Sequence, residues 1–224
     1  MAPSTGVSDR RRRALFRFCT AVADVALRPF ARVEIEPLPE QAVWTGGLII
    51  ASNHRSLLDL VVGLAAFRKW SLQPSTFVRA DYFRLPLAGR FLRQIGGIPA
   101  GRGQGSAAIR DARALLLSGG ALAITPEGRI PASGERPDGL AELRPGVGWL
   151  AASTGVPILV VGLVNTDSAW PLGARVPRWH LRPGKRPTVR VGTAWLPAVD
   201  GATKTQITGD LVGCLRQVLA RLES

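Results

Sequence analysis

The run Asn53-His54-Arg55-Ser56-Leu57-Leu58-Asp59 sets a histidine and an aspartate five positions apart. An imidazole titrates near neutral pH and makes a natural general base, provided a carboxylate fixes one ring nitrogen and leaves the other to take a proton. Two helical positions at this spacing would point about 140° apart and could not meet. The pair therefore carries a condition. His54 must lie in a loop, and a helix must start near Ser56 so that Asp59 stands in its first turn beneath the ring. The same residues also read as a plain helix start, because Ser56-x-x-Asp59 is a capping pattern. Backbone N–H groups at that helix start could hold an oxyanion.

Two further segments carry polar residues beside glycine. In Gly96-Gly97-Ile98-Pro99-Ala100-Gly101-Arg102-Gly103 the glycines let backbone N–H groups approach an anion, and Arg102 could clamp a phosphate. The stretch fits neither a dinucleotide loop nor a P-loop, and taken alone it is equally a solvated turn. In Thr125-Pro126-Glu127-Gly128-Arg129 a carboxylate and a guanidinium could orient a polar substrate or pair with each other at the surface.

These segments sit where strands should end. Gly46 to Ala51 reads as a buried strand running into His54, and Leu57 to Trp70 as the helix that follows. Thr76 to Val78 reads as a strand, Tyr82 to Ile95 as a helix interrupted by Pro86, and Ser106 to Ser118 as a helix closed by Gly119-Gly120. Ala121 to Thr125 is then a strand, residues 129 to 143 a loop, and Pro145 to Thr154 a helix. Pro157 to Val164 is a β-branched run, residues 165 to 187 a loop, Thr188 to Trp195 a strand and Thr203 to Leu222 a closing helix.

Alternating helices and unbroken apolar strands predict an α/β single-domain sandwich, with a largely parallel or mixed central sheet flanked by helices. In such sheets sites gather beyond the carboxyl ends of strands.

The 224 residues suffice for one core, and 29 Lys+Arg against 16 Asp+Glu leave a formal charge of +13. An anionic partner is expected. Arg10 to Arg13 precede an apolar stretch, Ala14 to Phe30, in which Leu15, Phe18, Val22, Val25 and Ala26 recur at helical spacing. Arg17, Asp24 and Arg28 interrupt it, which excludes a spanning helix and argues against a secretory signal. Residues 1 to 35 thus read as a basic tail and an N-terminal amphipathic helix for a membrane surface, and residues 36 to 224 as the main domain. Cys19 and Cys214 fit no metal or CxxC spacing and suit a reducing cytoplasm. His180, in the basic stretch from Arg175 to Arg190, reads as solvated.

Together and in this order, the segments resemble the glycerolipid acyltransferase family that includes the 1-acylglycerol-3-phosphate acyltransferases. His54 and Asp59 match its His-x4-Asp catalytic motif, Gly97 to Arg102 its phosphate-binding block, and Pro126-Glu127-Gly128 its third block. Val156-Pro157-Ile158 looks like its fourth. The resemblance implies that His54 and Asp59 are catalytic, that Asn53, Gly97, Arg102, Glu127, Gly128 and Arg129 bind substrate, and that Val156 and Pro157 lie on the acyl-donor side.

It also implies transfer from acyl-CoA or acyl carrier protein, as co-substrate, to the hydroxyl of a lysophospholipid acceptor, with no metal and no further cofactor. An anionic membrane surface would be the partner, reached peripherally on the cytoplasmic face of the cell membrane, and acyl carrier protein a possible second; no nucleic acid is expected. Two departures stand out. Arg129 follows Gly128 directly where the family commonly reads Glu-Gly-Thr-Arg, and Pro99-Ala100-Gly101 stands where bulkier apolar residues are usual. Another acceptor, such as glycerol-3-phosphate, a different lysolipid or a glycolipid, stays open. A basic nucleic-acid-binding protein is the rival from another class, although no reading motif for it is present.

Overall fold

Leu48, Ile49, Ile50 and Ala51 are all buried, as a strand covered on both faces requires. The computed structural model describes residues 6–101, 105–179 and 183–224. Its strands are β1 (Arg32–Ile35), β2 (Leu48–Ser52), β3 (Ser75–Arg79), β4 (Gly97–Ala100), β5 (Ala121–Ile124), β6 (Ile158–Val164) and β7 (Thr188–Leu196). They form one sheet in the order β1-β7-β6-β2-β5-β3-β4. From β6 to β4 all neighbours are parallel, β7 runs antiparallel to β6, and β1 is parallel to β7. The sheet is therefore mixed, with its parallel part around β2.

The helices are α1 (Gly6–Leu27), α2 (Leu58–Lys69), α3 (Pro86–Gln94), α4 (Gly105–Leu117), α5 (Gly146–Thr154), α6 (Thr166–Ala169) and α7 (Lys204–Glu223). Side chains alternate across β2, so its residues feed two cores. Leu48 and Ile50 pack with Leu27 of α1 and with Leu58, Val62 and Trp70 on and beside α2. Ile49 and Ala51 pack with Ala112 of α4, Leu150 of α5 and Leu215 of α7 on the other face. The result is the α/β sandwich that the sequence predicts.

Three elements differ from expectation. Arg32–Ile35, which the sequence places in the tail and helix segment 1 to 35, is the edge strand β1, so the sheet reaches back across that boundary. Pro86 starts α3 at its first position, after a separate 3-10 turn at Ala80–Arg84, where the sequence predicts one helix interrupted there. A proline lacks an N–H and carries a helix-ready φ, so it fits a first turn better than an interior. The expected loop of 165 to 187 contains the single turn α6.

Helix α1 has two apolar faces. Phe16, Thr20, Ala23 and Leu27 are buried, whereas Phe18, Val22 and Val25 are at least half exposed on the other side, beside the exposed Arg17. Among the described residues no helix is long and apolar enough to cross a membrane.

Candidate active site

Strand β2 delivers Asn53 and His54 to the carboxyl end of the sheet. Asn53 is fully buried, and its side chain clamps β2 to β6: Nδ2 donates to the Leu163 carbonyl at 2.9 Å, and Oδ1 accepts from the Leu163 N–H at 2.8 Å. One amide N–H and the amide oxygen are thereby committed to main chain, which makes Asn53 a structural clamp. His54 follows in a loop, four residues before α2 begins.

His54 Nδ1 lies 2.7 Å from Asp59 Oδ2, and Asp59 is the second residue of α2. The same oxygen accepts the main-chain N–H groups of Arg55 at 2.6 Å and Ser56 at 2.8 Å. Capping and imidazole pairing therefore coexist in one carboxylate. An ionised carboxylate only accepts, so Nδ1 carries the ring proton and Nε2 presents a lone pair. Nε2 has no bonding partner among the described residues, and the His54 side chain keeps 22% exposure against 4% for Asp59. The N–H groups of Arg55 and Ser56 are committed to Asp59 and that of Leu58 to Ser56 Oγ, so these three do not supply the oxyanion donors expected at this helix start.

Strand β5 brings the second carboxylate. Glu127 is 4% exposed, with Oε2 accepting the His54 N–H at 2.5 Å and Oε1 the Ala141 N–H at 3.0 Å. Burial pushes its carboxyl above the usual range, and the two N–H donors, then the nearby His54 and Arg136 charges, pull it back. Glu127 thus braces the backbone of His54.

Gly128 has φ +69°, a left-handed conformation that favours glycine, and Arg129 beyond it turns outward. Both terminal nitrogens of Arg129 bind Glu135, at 2.7 and 2.9 Å, on an exposed loop. That hydrogen bonding, helped by the Ala132 N–H, lowers the Glu135 carboxyl to about 2. Arg129 therefore pairs at the surface with Glu135, and not with Glu127 of its own segment as the sequence offered.

Gly97 opens β4 in register with Thr76 of β3 and, through Ala123 of β5, level with Ile50 in the middle of β2, close to Leu92 and Phe83. Val156 and Pro157 precede β6 at the end of the sheet away from His54; Val156 is a core residue, and the Pro157 carbonyl accepts the Ile49 N–H at 3.1 Å. In the fold Val156 packs in the core and Pro157 pairs with β2, while Gly97 lies close to Leu92 and Phe83. Arg102 and His180 lie outside the described residues.

Sequence reasoning passed over the charges behind His54. Arg55 reaches Glu223 at 3.0 Å and Asp167 at 3.6 Å, and the buried Arg136 reaches Asp167 at 3.2 Å. Only Arg55 had a signal, its place inside the motif. Among the described residues no cluster of His, Cys, Asp or Glu suits a metal ion.

Comparison with known proteins places this geometry. The acyltransferase family model matches residues 31–164. The chain is similar to the chloroplastic 1-acyl-sn-glycerol-3-phosphate acyltransferases of Brassica napus and Arabidopsis thaliana, each 25% identical over 170 residues, or 74% of this chain. Those alignments cover 47% and 46% of the two relatives, so the chain spans about half of their length. Its fold is similar to that of the 1-acyl-sn-glycerophosphate acyltransferase PlsC from Thermotoga maritima, with a TM-score of 0.77 at 18% identity, over 96% of this chain and 83% of that one.

Proposed function

The chain belongs to the acyltransferase family, and from that premise we propose that it moves an acyl group from acyl-CoA or acyl carrier protein to the hydroxyl of 1-acylglycerol-3-phosphate, giving phosphatidate. The observation that carries this reading is the His54 ring, held through Nδ1 by Asp59 with Nε2 left over for an acceptor. Nε2 takes the proton of the acceptor hydroxyl as its oxygen attacks the thioester carbonyl carbon. The C–S bond then breaks, the proton passes from the imidazolium to the departing thiolate, and ester and thiol are released. Asp59 stays ionised throughout, orienting the ring and stabilising its transient charge. No acyl-enzyme is needed.

The acceptor is a lipid, so the enzyme works at a membrane surface. The exposed Phe18, Val22 and Val25 of α1, with the basic residues around them, suit peripheral contact with anionic lipid on the cytoplasmic face. Glycerol-3-phosphate and other lysolipids remain acceptors of the same chemistry.

The test is an acceptor screen with one labelled acyl-CoA and purified protein. Label should enter phosphatidate when 1-acylglycerol-3-phosphate is supplied, and His54→Ala should abolish this while its circular dichroism stays native. Transfer by that variant at the wild-type rate would end the reading.

A further inference from the structure

Arg129, Arg136 and Arg144 all come to the turn after β5, and they differ in what already holds them. Arg129 has both terminal nitrogens on Glu135. Arg136 is buried and paired with Asp167. Arg144 is exposed, and no acidic group meets its guanidinium among the described residues.

Its position is nevertheless set. The Arg144 N–H donates to the Pro126 carbonyl at 2.9 Å, and its side chain lies across Gly128. A β-carbon added at Gly128 would stand 2.7 Å from Arg144 Nε and 2.9 Å from Cδ and Cζ, so a larger residue there would push this side chain aside. Gly128 follows Glu127, whose carboxylate holds the His54 N–H. Helix α5 begins two residues beyond Arg144, and its amino end adds positive potential at the same edge. A guanidinium in the turn that also carries Glu127, with no acidic partner among the described residues, is suited to a phosphate, which it can grip through two parallel N–H donors.

We propose that Arg144 binds the phosphate of the acceptor, within the substrate-binding part that the family resemblance implies for Arg129. The inference rests on the acyl-transfer reading given above. In the acceptor, the hydroxyl to be acylated is a short glycerol arm away from phosphorus, so a phosphate on Arg144 would direct that hydroxyl toward His54.

The test compares Arg144→Gln, Arg144→Lys and Arg129→Gln with wild type in two assays. In kinetics, Arg144→Gln should raise KM for 1-acylglycerol-3-phosphate about 10-fold or more, with KM for acyl-CoA unchanged, and Arg144→Lys should recover part of the loss. A rise in KM for acyl-CoA instead, or a larger acceptor effect from Arg129→Gln, overturns the proposal. In calorimetry, the ligand is a lysophosphatidate analogue whose sn-2 hydroxyl is replaced by hydrogen, set against the same analogue without phosphate. Wild type should prefer the phosphorylated analogue and Arg144→Gln should lose the preference; equal preference in both proteins overturns the proposal. Because binding is read without turnover, a wild type that binds through Arg144 yet transfers no acyl group defeats the acyl-transfer reading and leaves the phosphate site standing. Gly128→Ala, which displaces Arg144 without altering its charge, should reproduce the KM effect, and an unchanged KM in a folded Gly128→Ala protein counts against the site.

Discussion

The turns after β2 and β5 are neighbours in the sheet, and each region has one buried carboxylate, yet Asp59 and Glu127 are wired differently. Asp59 gathers three donors on one oxygen, two from main chain and one from the imidazole. Glu127 spreads two main-chain donors over two oxygens and touches no side-chain donor in those bonds. Burial gives both groups leverage, since a hydrogen bond in a dry site is strong and its loss is costly. The difference lies in what they fix. Asp59 sets the ring of His54 and its proton, whereas Glu127 sets where the backbone of His54 stands.

Substitutions that keep shape and remove charge should separate these roles, and the largest effect is expected at Asp59. Asp59→Asn can still put one acceptor oxygen on the three donors but removes the negative charge that orients and stabilises the imidazolium, so kcat should fall about 10³- to 10⁴-fold with the fold retained. A fall of only a few-fold in single-turnover assays would reduce Asp59 to a helix cap.

Glu127→Gln should act through position. Its amide nitrogen would face one of the two N–H donors, moving His54 and lowering kcat about 10- to 100-fold. It should also cost about 1–3 kcal/mol of stability, because one buried N–H loses its acceptor. The pH dependence has a definite sign. Since burial raises the Glu127 carboxyl above 4.5 in the folded protein, its contribution is fully present below that value and is lost as pH rises through the raised one. Urea unfolding across that interval should show wild-type stability falling relative to Glu127→Gln, and parallel profiles would contradict the burial argument.

Asn53→Ala tests the frame that carries both turns. Removing the carboxamide takes away the hydrogen-bond partner of the buried N–H and carbonyl of Leu163, so denaturant titration should show a loss of about 1–3 kcal/mol. The smallest effect belongs to the outer edge of the β5 turn. Glu135→Gln weakens an exposed pair with Arg129, and the rate of transfer and the thermal midpoint should stay at wild-type values.

Much of this arrangement was legible in the residues. The buried run of β2, the punctuation by Gly119-Gly120 and the β-branched run of β6 announced an α/β sandwich, because periodicity and turn chemistry are local properties. The geometric condition on His54 and Asp59 was also readable, since helix angles follow from spacing alone. The edge strand β1 was not. Its four residues alternate between half-buried and exposed and acquire meaning only by pairing with Thr188 to Val191.

Residue type and order determined which groups could do chemistry: an imidazole, two carboxylates and a set of arginines near strand ends. Tertiary structure alone decided which of them face one another. Val156 and Pro157 fall at the end of the sheet away from His54, and Gly97 at mid-depth, because parallel register, not motif membership, sets depth along a strand. Arg129 pairs with Glu135 and leaves Arg144 open because the loop after β5 folds back on itself, a contact between residues whose spacing carries no periodic signal.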